Sequence, residues 1–425
     1  MAQPPSPVTL EDASAPKRLL GGRSGNAALA FIFVTVTIDT IAMGVTAPVL
    51  PQLIERLSGD PQQAGVMNGL FMTIFALLQF IFSPILGALS DRYGRRPILL
   101  LSIMGLGLSY AAMGMATSLW QLLLIRAFTG ATSANIATAF AYIADVTPVD
   151  RRAGAYGLMQ GAMSMGFALG PGIGGLLGNL SPTAPFWAAA AFSLINAVYG
   201  YFVVPESLPM DQRAPFRVGN LRAFGGISML RSKPGLFSLA MILMLAQFAT
   251  MVFPTVFVLY AMHRYAWNIT AVSICMTGFG VCSALVQARV AGPFVRRWGE
   301  HKAIIFGLLT GVLAAFIFGL APNGTIFWIG IPIMTLSGLT GPAVQSLMTR
   351  KVAHFEQGRL QGANTSLQSV AGIVAPLLFG WIYAMAIIPH GGFNLAGAPF
   401  FLASLVLAGA TVIAWRAVQR ERSVA

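Results

Sequence analysis

Of the 13 acidic residues in this 425-residue chain, only Asp39 lies well inside a long apolar stretch. A carboxylate in such a place is costly and usually functional. The chemistry open to a lone one is to take up and release a proton as its surroundings alternate. Arg126 is the matching cation. At 1.5 Å per residue Asp39 lies roughly 18 Å into its stretch, and Arg126 roughly 10 Å into one entering from the other side. Across a ~30 Å apolar core the two depths agree within several Å, so the residues are expected to meet, as a proton switch or as a static ion pair. Gln247, Gln345 and Asn364 are the amides expected to face a central cavity, with Met43, Met72, Met244 and Phe248 as its apolar wall. Methionine adapts to varied ligand shapes. Gly166, Gly170 and Gly174 recur every four residues and form one small-residue face, bent at Pro171. Such a face lets helices pack backbone to backbone, here near the outer end, where two halves could seal. Arg289 sits near the end of its stretch and can snorkel to the interface. The four histidines lie in loops or at helix ends, so no histidine relay crosses the apolar core. Cys275 and Cys282, seven apart on one helix face, are about 10 Å from each other, too far for a disulfide. No metal site is expected.

The elements that must carry these residues follow from composition. Hydrophobic residues make up 56% of the chain and charged ones 9%, against about 25% charged in a soluble domain. That excludes a cytosolic enzyme, a disordered chain and a disulfide-built secreted domain. A spanning helix needs about 20 mostly apolar residues. Twelve segments qualify, near 27–50, 66–90, 96–117, 119–143, 153–178, 184–204, 235–262, 269–291, 301–320, 325–350, 358–388 and 396–418. The expected architecture is therefore an all-α membrane protein: a tail over 1–26, a six-helix half over 27–204, a basic linker over 205–234, a second half over 235–418 and a tail over 419–425. With the N-terminus inside, 22 of the 26 lysines and arginines fall on one side. This predicts both termini in the cytoplasm and accounts for the net charge of +13 without nucleic acid.

The halves repeat. GALSDRYG from Gly87 returns as GPFVRRWG from Gly292, and the same offset of 205 relates Gly94 to Gly299, Gly157 to Gly362, Pro171 to Pro376 and Gly175 to Gly380. Two related halves enclose a cavity, and rocking them gives alternating access. The loop Gly87-Ala-Leu-Ser-Asp91-Arg92-Tyr-Gly94-Arg95-Arg96-Pro97 resembles the signature loop of the major facilitator superfamily. Leu122-Leu-Leu-Ile-Arg126-Ala-Phe-Thr-Gly130 resembles its fourth-helix motif. Gly166-Phe-Ala-Leu-Gly170-Pro171-Gly172-Ile-Gly174-Gly175 is similar to the fifth-helix motif of its proton-coupled antiporters, and Asp39 to Pro51 to the first-helix motif of its twelve-helix drug:proton group, in particular the tetracycline-efflux branch.

That resemblance implies proton-coupled efflux of a small amphipathic compound, with Asp39 and Arg126 as the coupling pair. It implies a gating role for Gly87, Asp91, Arg92, Gly94 and Arg95 and for Gly166, Gly170, Pro171 and Gly174. Asp91 is expected to hold the inner ends of the halves together in the outward-facing state. The alternative is a proton-coupled importer of a metabolite or siderophore. No cofactor is expected beyond the proton gradient, since no GxxxxGK[ST] loop is present. The implied partners are a small molecule, protons and the lipid of an inner membrane, for a monomeric multidrug-type pump. One departure stands out: tetracycline pumps carry acids where this chain has Ser109 and Thr310. A positively charged chelate would lose both attractions, so the expected substrate is neutral, zwitterionic or anionic. Acids restored at both positions would be expected to raise tetracycline efflux.

Overall fold

The computed structural model describes residues 22–148, 151–213, 230, 231, 233, 235–352, 356–388 and 395–424, and among them the chain is helical with no strand. Ten helices are long and apolar enough to cross a membrane: Leu29–Ser58, Pro61–Tyr93, Arg95–Gly114, Ala184–Val203, Leu236–Tyr265, Ile269–Trp298, Glu300–Leu320, Gly324–Arg350, Leu360–Ala386 and Ala398–Gln419. They are spans one to three and six to twelve of the expected set. The other two depart for identifiable reasons. Span four is two pieces, Leu119–Thr132 and Asn135–Val146, parted at Ser133–Ala134. Span five, Arg152–Leu180, is one helix whose nine glycines dilute its hydropathy. The last helix runs on to Val424, past the expected end at 418. The expected tail over 1–26 lies mostly outside the described residues, as does much of the linker over 205–234.

Polar caps start the spans at one end of the bundle. Asp60, Ser118, Asn268 and Asn323 each accept a backbone N–H of the first turn, at 2.9–3.4 Å, opening spans two, four, eight and ten. Each satisfies a donor that the helix cannot bond itself. Spans three, five, nine and eleven start at the opposite, basic end without a side-chain cap.

At that basic end each half ties its own loops. Arg95 pairs with Asp91 at 2.5 Å and through Nε with Asp145 at 3.0 Å, while its backbone N–H donates to Glu206 at 2.8 Å. Gly94 has φ 109°, and a Cβ there would lie 2.6 Å from the Glu206 carboxyl carbon, so glycine is required twice over. In the other half Glu300 pairs with Arg350 and accepts from Ser346 at 3.3 Å. Under the offset of 205, Asp91 corresponds to Arg296, Arg95 to Glu300 and Asp145 to Arg350. These three positions repeat with their signs inverted, while Arg92 and its mate Arg297 keep theirs.

The two halves meet along spans two and eleven and along spans five and eight, and the contacts lie at the far end. A Cβ on Gly65 would strike the Tyr383 ring, and one on Gly69 would fall 3.1 Å from the Pro376 carbonyl carbon. Asn68 donates to the Thr255 carbonyl at 2.6 Å, Thr73 to that of Ile373 at 2.7 Å, and Asn179 to Thr270 at 2.8 Å. Gly280 packs on Ala168, and Gly172 and Gly175 pack on Thr277 and Ser273. Toward the basic end the same stripe of span five opens: Gly154, Gly157 and Gly161 have no heavy atom within 4 Å of an added Cβ, and neither has Gly362 across the gap. The bundle is sealed at the far end and open at the basic end.

Candidate functional site

The open end leads into a cavity of about 1570 Å³ between the halves. Spans one, two, four and five wall one side, and spans seven, eight and ten the other. The wall is mainly apolar, with Met72, Met163, Met276, Phe167, Phe253, Phe257 and Phe279, and its polar groups include Gln160, Ser164, Gln287 and Gln345. Among the described residues Arg126 and Arg289 are its only charged ones. Phe253 anchors this wall to the second half: it stacks on Phe279 at 5.2 Å and meets Phe318 edge-on at 5.3 Å. Such aromatic pairs hold their geometry beyond simple area burial.

Asp39 sits behind this wall rather than in it. Its side chain is buried, and the Asn135 amide donates to Oδ2 while Oδ1 has no partner. The break in span four explains the contact. Asn135 is the first residue of the second piece, and the helical register lost at Ser133–Ala134 turns it toward span one. Ser133 in turn accepts from Gln79 at 3.2 Å. Broken helices near the midplane are where transporter folds place ion-handling groups.

The expected meeting of Asp39 and Arg126 does not occur. Among the described residues no carboxylate lies within ion-pair distance of Arg126, whose guanidinium sits over the Phe75 ring at 5.8 Å and whose Nε is buried without a partner. Depth along a helix does not set the angle around it, and the break changes that angle between residues 126 and 135. Of the expected wall residues, Met72 and Gln345 line the cavity, whereas Met43, Gln247, Phe248 and Asn364 do not. Met43 is 37% exposed on the first helix, Phe248 packs on Phe379 at 5.5 Å, and Asn364 is buried behind Gln345, donating to it at 3.5 Å. The phenylalanines, Gln160, Ser164 and Gln287 were not among the expected wall residues. No periodicity marks them, because every face of these helices is apolar.

The glycine face also belongs elsewhere. Gly166, Gly170 and Gly174 pack against Thr40, Gly44 and Val45 of span one, within the same half, and Pro171 touches Gly44 from the same side. The seal between halves uses the neighbouring stripe, Ala168, Gly172 and Gly175. Asp91 and Arg95 pair inside one half, Arg92 lies over Tyr93 at 5.2 Å, and Gly87 has open space around it. Ser109 is buried and bonds its own helix at Gly105, and Thr310 does the same at Gly307. Neither faces the cavity in this state, so acids restored there would not line it. Cys275 and Cys282 are free thiols, and among the described residues no cluster could hold a metal.

The chain is 37% identical over 387 residues to the class C tetracycline resistance protein of Escherichia coli, covering 89% of this chain and 96% of that one. It is 27% identical to multidrug resistance protein 1 of Bacillus subtilis, over 92% and 97% of the two chains. Among solved structures it superposes on a bacterial homolog of the human lysosomal transporter Spinster with a TM-score of 0.73 at 16% identity, over 92% and 96% of the chains. The sequence profile of the Major Facilitator Superfamily matches residues 32–376. The bundle, its basic loops and its central cavity are those of a multi-pass membrane transporter rather than an enzyme, and the chain belongs to the major facilitator superfamily.

Proposed function

We propose that this protein exports small amphipathic organic compounds across the inner membrane in exchange for protons, by alternating access. The observation that carries this reading is the cavity: large, apolar, open at one end, and backed by a buried acid that is held from the break in span four. The relatives named for tetracycline and multidrug resistance support efflux as the direction. The basic end is the cytoplasmic one, with both termini there, so the structure is the inward-facing state. Asp39 carries the proton. Its unserved Oδ1 gives the proton a place, and Asn135 holds the other oxygen through the exchange. Arg126 meets the substrate rather than Asp39. The protein works as a monomer with no cofactor beyond the proton gradient and no nucleic-acid partner. Tetracycline chelates are poor substrates, because the cavity offers a cation no carboxylate. The test is reconstitution: proteoliposomes with an imposed pH gradient should accumulate a fluorescent amphiphile against its concentration gradient. Accumulation indifferent to the pH gradient would overturn proton exchange.

A further inference from the structure

We infer that the cavity is a receptor for an organic anion, its acidic headgroup held by Arg126 and its apolar body lying against the phenylalanines of spans seven and eight. This rests on the reading above in taking the cavity as the transport site, and it commits to one charge class. Three features converge. Among the described residues the only charged groups on the wall are two guanidiniums, and no carboxylate lines it. Arg126 Nε, an N–H donor, is buried without a partner. An unmade bond to a buried donor is costly, and this one calls for an acceptor. The acid that might have answered Arg126 is taken up elsewhere, by Asn135. A guanidinium without a counter-ion, resting on the Phe75 ring, presents a planar fork suited to a carboxylate or sulfonate. Arg289 is exposed on the π-helical turn Val286–Ala291. There it adds positive potential along the way in, and charge of one sign lining a low-dielectric cleft concentrates the opposite ion.

The test uses the purified full chain in detergent and three probes on one skeleton: 1-pyrenebutyrate, its methyl ester and 1-pyrenebutylamine. Binding is read by equilibrium dialysis and by thermal shift. The anion should bind at least ten-fold tighter than the ester and tighter still than the ammonium. Arg126→Gln should reduce the anion-to-ester preference at least ten-fold, and Arg126→Lys should retain part of it. Arg289→Gln, which leaves Arg126, provides a second reading if Arg126→Gln fails to fold, and should cut the preference several-fold. Equal binding of the three probes, tighter binding of the ammonium, or a preference unmoved in both Arg126→Gln and Arg289→Gln overturns the proposal. The export reading fails separately. Proteoliposomes of a protein that prefers the anion but moves none of the probes under a pH gradient would sink export and leave the anion receptor standing. Gradient-driven transport without anion preference would do the reverse.

Discussion

Gly69 stands where the seal between the halves is tightest, which makes Gly69→Ala a switch for the conformational equilibrium. An alanine Cβ there would overlap the Pro376 carbonyl oxygen and lie 3.1 Å from its carbon and 3.2 Å from Leu377 Cα. Comfortable carbon contacts are about 3.5–4.0 Å. The obstacles are backbone atoms, which cannot rotate away, so spans two and eleven must separate. Overpacking of this kind costs about 1–3 kcal/mol. The contact exists only while the far ends touch, so the penalty falls on the state open at the basic end alone. A bias of that size changes the ratio of states about 5- to 150-fold. Gly157→Ala is the control, since its Cβ meets nothing within 4 Å in this state. Spin labels at Tyr93 and Trp298, exposed helix ends of opposite halves at the basic end, report the equilibrium by pulsed electron resonance in a background lacking Cys275 and Cys282. Gly69→Ala should populate a shorter distance than the parent protein, and Gly157→Ala should not. A distribution unchanged by Gly69→Ala would refute the idea that this seal is specific to one state.

Asp39→Asn should lower pH-gradient-driven transport on the order of 100-fold while leaving membrane insertion intact; a proton-uptake assay in proteoliposomes that still reads the native rate would remove Asp39 from coupling. Asn135→Ala leaves Asp39 without its one donor and should impair transport as well, with Asn135→Gln recovering part of it. Gly94→Ala should lower the thermal midpoint more than Gly299→Ala: both force a side chain to positive φ at about 1–3 kcal/mol, but only Gly94 also drives a Cβ into Glu206. Equal midpoints would show that the Glu206 contact contributes nothing. Cells carrying the unmodified protein should gain little tetracycline resistance, and a large rise in the inhibitory concentration would contradict the reading of the cavity's charge.

Spans and the repeat were legible because each rests on a property of composition: twenty apolar residues, glycines at a fixed offset. Span four shows where that ends. Leu119 to Val146 is apolar enough to cross, yet nothing in Thr132-Ser133-Ala134-Asn135 announces a break, which is set by what Asn135 and Ser133 reach on spans one and two. The cavity wall was legible only at Met72 and Gln345 because helices apolar on all sides carry no amphipathic signal, so the face each turns inward is decided by packing. The glycine face misled for a related reason. Spacing of four identifies a stripe but not its neighbour, and the stripe beside it made the seal.

The inverted charges at the basic end bear on how a duplicated chain can change. The attraction in a pair depends on the product of two charges, and that product is the same for Arg95–Asp145 as for Glu300–Arg350. Both partners of each bond lie in the same half, so one copy can exchange signs without consulting the other. What the two copies share is therefore a relation between positions rather than a set of residues, and matching the halves by identity alone passes over it.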